Sequence, residues 1–164
     1  MNVARLVVLL VFVLGVASPH VRVQDDEERE NLTDIREINV IVERLADDAE
    51  EAGLRRNTLS DAIEERLQEQ GIPLGNSQLA ADLYVNVATV RGSTGLYAYC
   101  VRVSVQQLVT IEGNQLRAFV DTWDLASVGA VGQGNLPEVQ TVVLQIVDRF
   151  TDDYLEMNDP RQEP

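Results

Sequence analysis

The side chains of this chain whose type and spacing could do chemistry are carboxylates. Asp47, Asp48, Glu50 and Glu51 fall close together. Hard cations take several carboxylate oxygens, so such a group could gather Ca²⁺. Its spacing is not that of an EF-hand loop, and a solvated acidic turn is the simpler reading. Asp121 and Asp124 flank Trp123, and paired carboxylates can share the acid and base roles of sugar hydrolysis. On a regular strand, residues three apart point to opposite faces, so this pair converges only if the strand bends. Gly129-Ala130-Val131-Gly132-Gln133-Gly134 stands ahead of a helical segment, where phosphate-cradling loops stand. Its glycine spacing does not fit a dinucleotide fingerprint, Lys is absent from the chain, and no βαβ unit leads into it. It reads as a flexible strand-to-helix connection that could close over a partner.

The chain has one His and one Cys. His20 lies in a polar leader without the rigid support that a catalytic imidazole needs. Ser-His-Asp and Cys-His nucleophile activation and His-ligated metal sites are thereby removed from the body of the fold. Cys100, being alone, cannot close an intrachain disulfide. No catalytic residue, cofactor or metal site is assigned. All 13 basic residues are Arg, against 27 acidic ones, for a net charge of −14. Such a surface repels nucleic acid and anionic headgroups, which bind through basic patches. The same acidity is equally a property of a salt-rich or Arg-favouring host.

The elements that position these groups follow from the apolar pattern. Arg5 precedes the apolar run Leu6–Val16, and Ala17 and Ser18 follow it. The run is far shorter than the roughly 20 residues that cross a bilayer, and its layout is that of a secretory signal. Residues 1–17 are therefore expected to be cleaved after Ala17, leaving a soluble exported protein, periplasmic or extracellular, with no stable membrane span. Residues 18–34 are strongly acidic and are expected to form a disordered leader, with a glycosylation sequon at Asn31-Leu32-Thr33. One domain over 35–157 and a polar tail over 158–164 complete the chain.

Within the domain, Ile38, Val40 and Val42 alternate as a strand, and 46–53 is an acidic connection or a short helical turn. Leu59, Ile63 and Leu67 mark one face of a helix entered at Thr58, and Gly71-Ile72-Pro73 ends it. Three alternating runs fill 82–125, separated by 91–95 and by 112–115. A five-residue first loop sets Thr89 opposite Tyr97, Val87 opposite Tyr99 and Val85 opposite Val101. A two-residue second turn sets Ile111 opposite Leu116, Val109 opposite Ala118 and Val105 opposite Thr122. Both registers put Leu83, Val85, Val87, Tyr97, Tyr99, Val101, Val103, Val105, Val109 and Ile111 on one side with Leu116, Ala118 and Val120. Gln107 breaks that set and marks a place for a bulge. A last helix opens at Asn135, with Glu138 at capping-box spacing. The order β-α-β-β-β-α specifies an α+β fold: a two-layer sandwich, a four-stranded sheet with two helices on one face.

The other face of that sheet carries Tyr84 opposite Arg102, Leu108 opposite Phe119 and Ser104 opposite Trp123, with Cys100 beside Asn86. Exposed aromatic, aliphatic and Arg side chains anchor protein partners. Tyr84, Arg102, Leu108, Phe119 and Trp123 are accordingly the expected contact surface for a protein partner or a second copy, unless the leader or the glycine loop covers it. The function expected is that of an exported, non-enzymatic binding or scaffold protein. Two other readings stand beside it. One is a carboxylate-based hydrolase or cation binder using Asp47, Asp48, Asp121 or Asp124; the other is a carrier of a small apolar ligand between sheet and helices.

The order of elements, with the phrases IEERLQEQGIPL, ADLYVNV and YAYCVRVSVQQLV, resembles small periplasmic envelope proteins. One such group contains the lipopolysaccharide-assembly lipoprotein of the outer-membrane translocon. Another comprises uncharacterised lipoproteins with an ADLxV strand after a helix that ends in Gly. The resemblance spans about residues 35–157 as a pattern without a diagnostic motif. It implies this fold and an envelope compartment. The chain departs from both groups in lacking a lipidated Cys after the apolar run, and its acidity argues against handling an anionic glycolipid.

Overall fold

Alternating apolar residues build the sheet in the computed structural model, which describes residues 26–77 and 80–159. The expected signal segment 1–17, the first part of the expected leader with His20, and residues 160–164 lie outside the described residues. β1 (Ile38–Val42) runs parallel to β2 (Ala81–Arg91). β2 pairs antiparallel with β3 (Leu96–Thr110), and β3 with β4 (Arg117–Gly132), giving the spatial order β1-β2-β3-β4. The parallel pair requires a crossover, which α2 (Asp47–Glu51) and α3 (Arg56–Glu69) supply. A 3-10 turn over Gln133–Glu138 leads from β4 into α4 (Val139–Met157). The fold is the two-layer α+β arrangement that the pattern specifies, with short helices added.

The inner face of the sheet carries Leu83, Val85, Val101, Val103 and Val105, all fully buried. They share one core with Leu59, Ile63 and Leu67 of α3 and Val143, Val147 and Phe150 of α4. α3 ends where the sequence places its stop. Gly71 takes φ +75° and donates its N–H to the Gln68 carbonyl at 2.9 Å, and the Ile72 N–H reaches the Leu67 carbonyl at 3.0 Å. That is the left-handed helix end that glycine permits.

The registers differ from expectation in two places. The β2–β3 loop is Ser93-Thr94-Gly95, closed by Gly92 N–H to the Leu96 carbonyl at 2.7 Å, with Gly95 at φ +81°. The shorter loop sets Val85 opposite Val103 and Val87 opposite Val101, two residues from the expected pairing. A shift of two leaves every side chain on its own face, so the inner set survives. Between β3 and β4 the expected register holds from Thr110 opposite Arg117 to Gln106 opposite Asp121, and then shifts by one, so that Val105 meets Trp123. Thr122 is the extra residue of a bulge, and beyond it every β4 side chain changes face. Trp123 therefore enters the core, whereas Val120 (36% exposed), Ile111 and Leu116 lie in the exposed end of the β3–β4 hairpin rather than inside.

Three further expectations are corrected. Residues 26–34 are ordered: α1 (Asp26–Glu30) and a turn set Leu32 fully inside the core, because one apolar side chain and Arg29 anchor this otherwise acidic stretch. β4 runs on to Gly132, so the first half of the glycine-rich segment is strand and not a loop. Tyr99 lies across Gly129, where any Cβ would fall on its ring, which is why glycine fits there. Finally, α4 begins at Val139 and no side-chain capping bond forms at Asn135 or Glu138, since the 3-10 turn precedes it.

Candidate functional site

The bulge at Thr122 decides which candidate residues face outward. Gln107 Nε2 donates to Thr122 Oγ1 and to the Asn31 carbonyl, both at 2.8 Å, and Asn31 Nδ2 donates to the Thr122 carbonyl at 3.1 Å. The polar Gln107, which interrupts the apolar pattern, thus clamps the bulge to the turn after α1. The amide of the Asn31 sequon is occupied by the same clamp.

Trp123 is the site residue that the structure removes from the surface. It is 1% exposed, its ring meets Phe150 edge-on at 5.5 Å between centroids, and its Nε1 donates to Asp153 Oδ2 at 3.1 Å. Asp153, itself 1% exposed, also faces Arg29 Nε at 3.2 Å and an Arg149 nitrogen at 3.8 Å. This buried carboxylate ties β4, α4 and α1 together. It was not foreseen, since a lone Asp in an acidic chain gives no signal of burial.

The outer face keeps the other four residues, Tyr84 and Arg102 in altered pairings. Leu108 does stand opposite Phe119, at 37% and 62% exposed. Tyr84 stands opposite Ser104 rather than Arg102, and Arg102 opposite Asn86. Cys100 is half-buried between Ala88 and Val128 instead of lying beside Asn86. Arg102 reaches Asp124 Oδ2 through Nε at 3.2 Å and Asp121 Oδ2 at 3.0 Å. Gln106 Nε2 donates to the other oxygen of Asp121 at 2.9 Å. The bulge is the bend that carries Asp121 and Asp124 to one face.

That convergence gathers both carboxylates on one guanidinium. Two-carboxylate hydrolysis needs both groups aimed at a substrate, whereas here both are engaged by the Arg102 guanidinium. Its hydrogen bond to Asp124, foremost, holds the Arg102 proton more tightly than usual. Asp47 is ion-paired with Arg44 at 2.8 Å, and the backbone carbonyl of Asp48 accepts from Tyr97 at 3.3 Å. Both belong to α2 and take no part in the Arg102 cluster. Among the described residues, no group of three or more His, Cys, Asp or Glu side chains is placed to hold a metal ion.

Tyr84 offers a direct check on the geometry of this face. Its hydrogen bond to the Glu43 carboxylate, chiefly, raises the phenol above its ordinary pKa, because the ionised phenolate would face a second negative charge. Glu43→Gln is expected to bring the Tyr84 titration back toward about 10. Ultraviolet difference titration against a Tyr84→Phe control measures it, and an unmoved phenol would place Glu43 elsewhere.

An apolar patch on the same face went unnoticed in the sequence. Three successive rows across β2, β3 and β4 read Asn86-Arg102-Ala126, Ala88-Cys100-Val128 and Val90-Ala98-Ala130. Val90 is 71% and Val128 77% exposed. Small residues on separate strands carry little hydrophobic signal singly; only the register assembles them. A separate cleft of about 700 Å³ lies at the end of the sheet, lined in part by Ile35, Arg36, Pro73, Ala81, Leu108 and Arg117. It is not in the space between sheet and helices where an apolar ligand was expected.

No helix among the described residues is long and apolar enough to cross a membrane. No protein-family model matches the chain, and no curated protein is similar to it. Among solved structures, the chain is similar to a minor lipoprotein from Acinetobacter baumannii at 14% identity over 80% of this chain and 96% of the other, with a TM-score of 0.29, a likeness too weak to say what the protein does.

Proposed function

We propose that this is an exported, non-enzymatic binding protein that docks a protein partner through the open outer face of its sheet. One observation carries the reading: among the described residues, helices cover a single side of the four-stranded sheet, and the other side presents Val90, Val128 and Phe119 to solvent at 62% or more. Large apolar side chains gathered on one exposed face are the usual mark of a partner site. Arg102, held upright by Asp121 and Asp124, supplies a polar anchor amid that surface. The apolar run at Leu6–Val16 supports the export half of the proposal.

The experiment is in-cell crosslinking of the tagged full chain in its own host, comparing the native face with Val90→Glu and Phe119→Glu. Each variant is expected to retain the native melting curve and to lose its crosslinked protein band. Retention of the band in both variants would place the partner on another surface and remove the reading.

A further inference from the structure

We propose that two copies of this chain join edge to edge through β4, in antiparallel pairing about Val128, into one continuous eight-stranded sheet. β4 has β3 on one side and, among the described residues, no strand on the other. The hydrogen bonds from Ile111 N–H to the Leu116 carbonyl and from Gly92 N–H to the Leu96 carbonyl fix the alternation along the ladders. Odd-numbered β3 residues bond toward β4 and even-numbered ones toward β2. It follows from the β3–β4 register that Asp124, Ala126, Val128 and Ala130 direct their main-chain N–H and C=O groups away from β3. A row of such groups is matched by another strand. Asn31 clamps this edge at the Thr122 carbonyl, before Ala126, Val128 and Ala130.

The charge pattern selects a second copy as the occupant. Each copy carries −14, so two copies repel except where their facing surfaces are neutral. From Leu125 to Pro137 the chain carries no charge at all. A two-fold axis at Val128 pairs Val128 with Val128 of the second copy, Ala126 with Ala130, and Asp124 with Gly132. Like charges never meet in that register, the facing side chains are small, and the 77% exposure of Val128 is relieved. Roughly six main-chain hydrogen bonds form across Ala126, Val128 and Ala130. A contact of this size belongs to the weak class below about 1,200 Å², so association is concentration-dependent. The two outer faces would merge into one, enlarging the surface on which the proposed function rests.

Sedimentation equilibrium of the signal-free chain, from micromolar to millimolar, tests this. The native chain is expected to approach a dimer at the upper end, and more so in 1 M salt, where charge screening shortens to about 3 Å. Val128→Glu and Val128→Arg should each stay monomeric at every concentration in low salt, since position 128 faces itself. Mixing the two variants should restore a dimer, now one of each kind. Val90→Glu, two strands from the axis, should dimerise like the native chain. A native chain that stays monomeric throughout overturns the inference while leaving partner docking by the outer face standing. A dimer that survives Val128→Glu, or a mixture that fails to reassociate, also overturns it. A dimer lost in Val90→Glu would show copies meeting by their faces, which sinks the edge geometry and favours the face.

Discussion

Alanine at position 153 is expected to lower stability by about 3–5 kcal/mol, the cost of breaking a buried ion pair by removing one partner. For a domain of this size, that is a fall of roughly 10–15 °C in melting temperature. Asp153 accepts from Trp123 Nε1 and faces Arg29, and both those partners lose their carboxylate at once. α1 should loosen first, because Arg29 binds α4 through Asp153 and Glu156. Asp153→Asn keeps an acceptor for the indole and removes only the charge, so its loss should be clearly smaller. Thermal unfolding followed by circular dichroism, with hydrogen exchange in residues 28–35, separates the two variants. An alanine variant that melts with the native chain would show that Asp153 is not buried as described.

Trp123→Ala should cost a similar amount, about 3–5 kcal/mol, through the cavity left against Phe150. Trp123→Phe keeps much of the ring contact and strands only the hydrogen bond, for about 1–3 kcal/mol. Because the indole and Asp153 touch, the double alanine variant should fall short of the sum of the single ones by about 0.5–3 kcal/mol. Denaturant melts of the four proteins give that cycle directly. Full additivity would break the link between β4 and α4. A Trp123→Ala protein with native stability would return the indole to the outer face and straighten the strand.

Trp123 also shows what the sequence could and could not convey. Strand alternation located every strand, and the Leu59-Ile63-Leu67 and Gly71 signals located α3 and its end, because those depend on neighbours within one turn or one pleat. The β2–β3 register was missed by two residues at no cost to the faces, since a period of two forgives an even error. An odd error is not forgiven. The one-residue bulge at Thr122 follows from hydrogen bonds of Gln107 to Thr122 and Asn31, which lie far apart in the chain. Gln107 stood out as polar in an apolar series, yet nothing local says that its partner is in the leader. A straight strand separates Asp121 and Asp124 and puts Trp123 outside; the bulge reverses both. Leu32 was hidden in acidic surroundings, where composition outweighs a single apolar anchor. The Ala88, Ala98, Val128 and Ala130 patch needed both registers before it existed at all.

The extra residue at position 122 makes β4 a strand read in two phases. Deleting it would leave a regular ladder with Trp123 still opposite Val105 and Asp124 still opposite Ser104, whereas a residue lost elsewhere in β4 would slip the side chains between it and the bulge by one and turn them to the opposite face. Side chains at most sites on this strand can change with local consequences; its length can change without inversion only at the bulge. The domain is thus far more tolerant of a codon lost at the bulge than of one lost elsewhere in the strand.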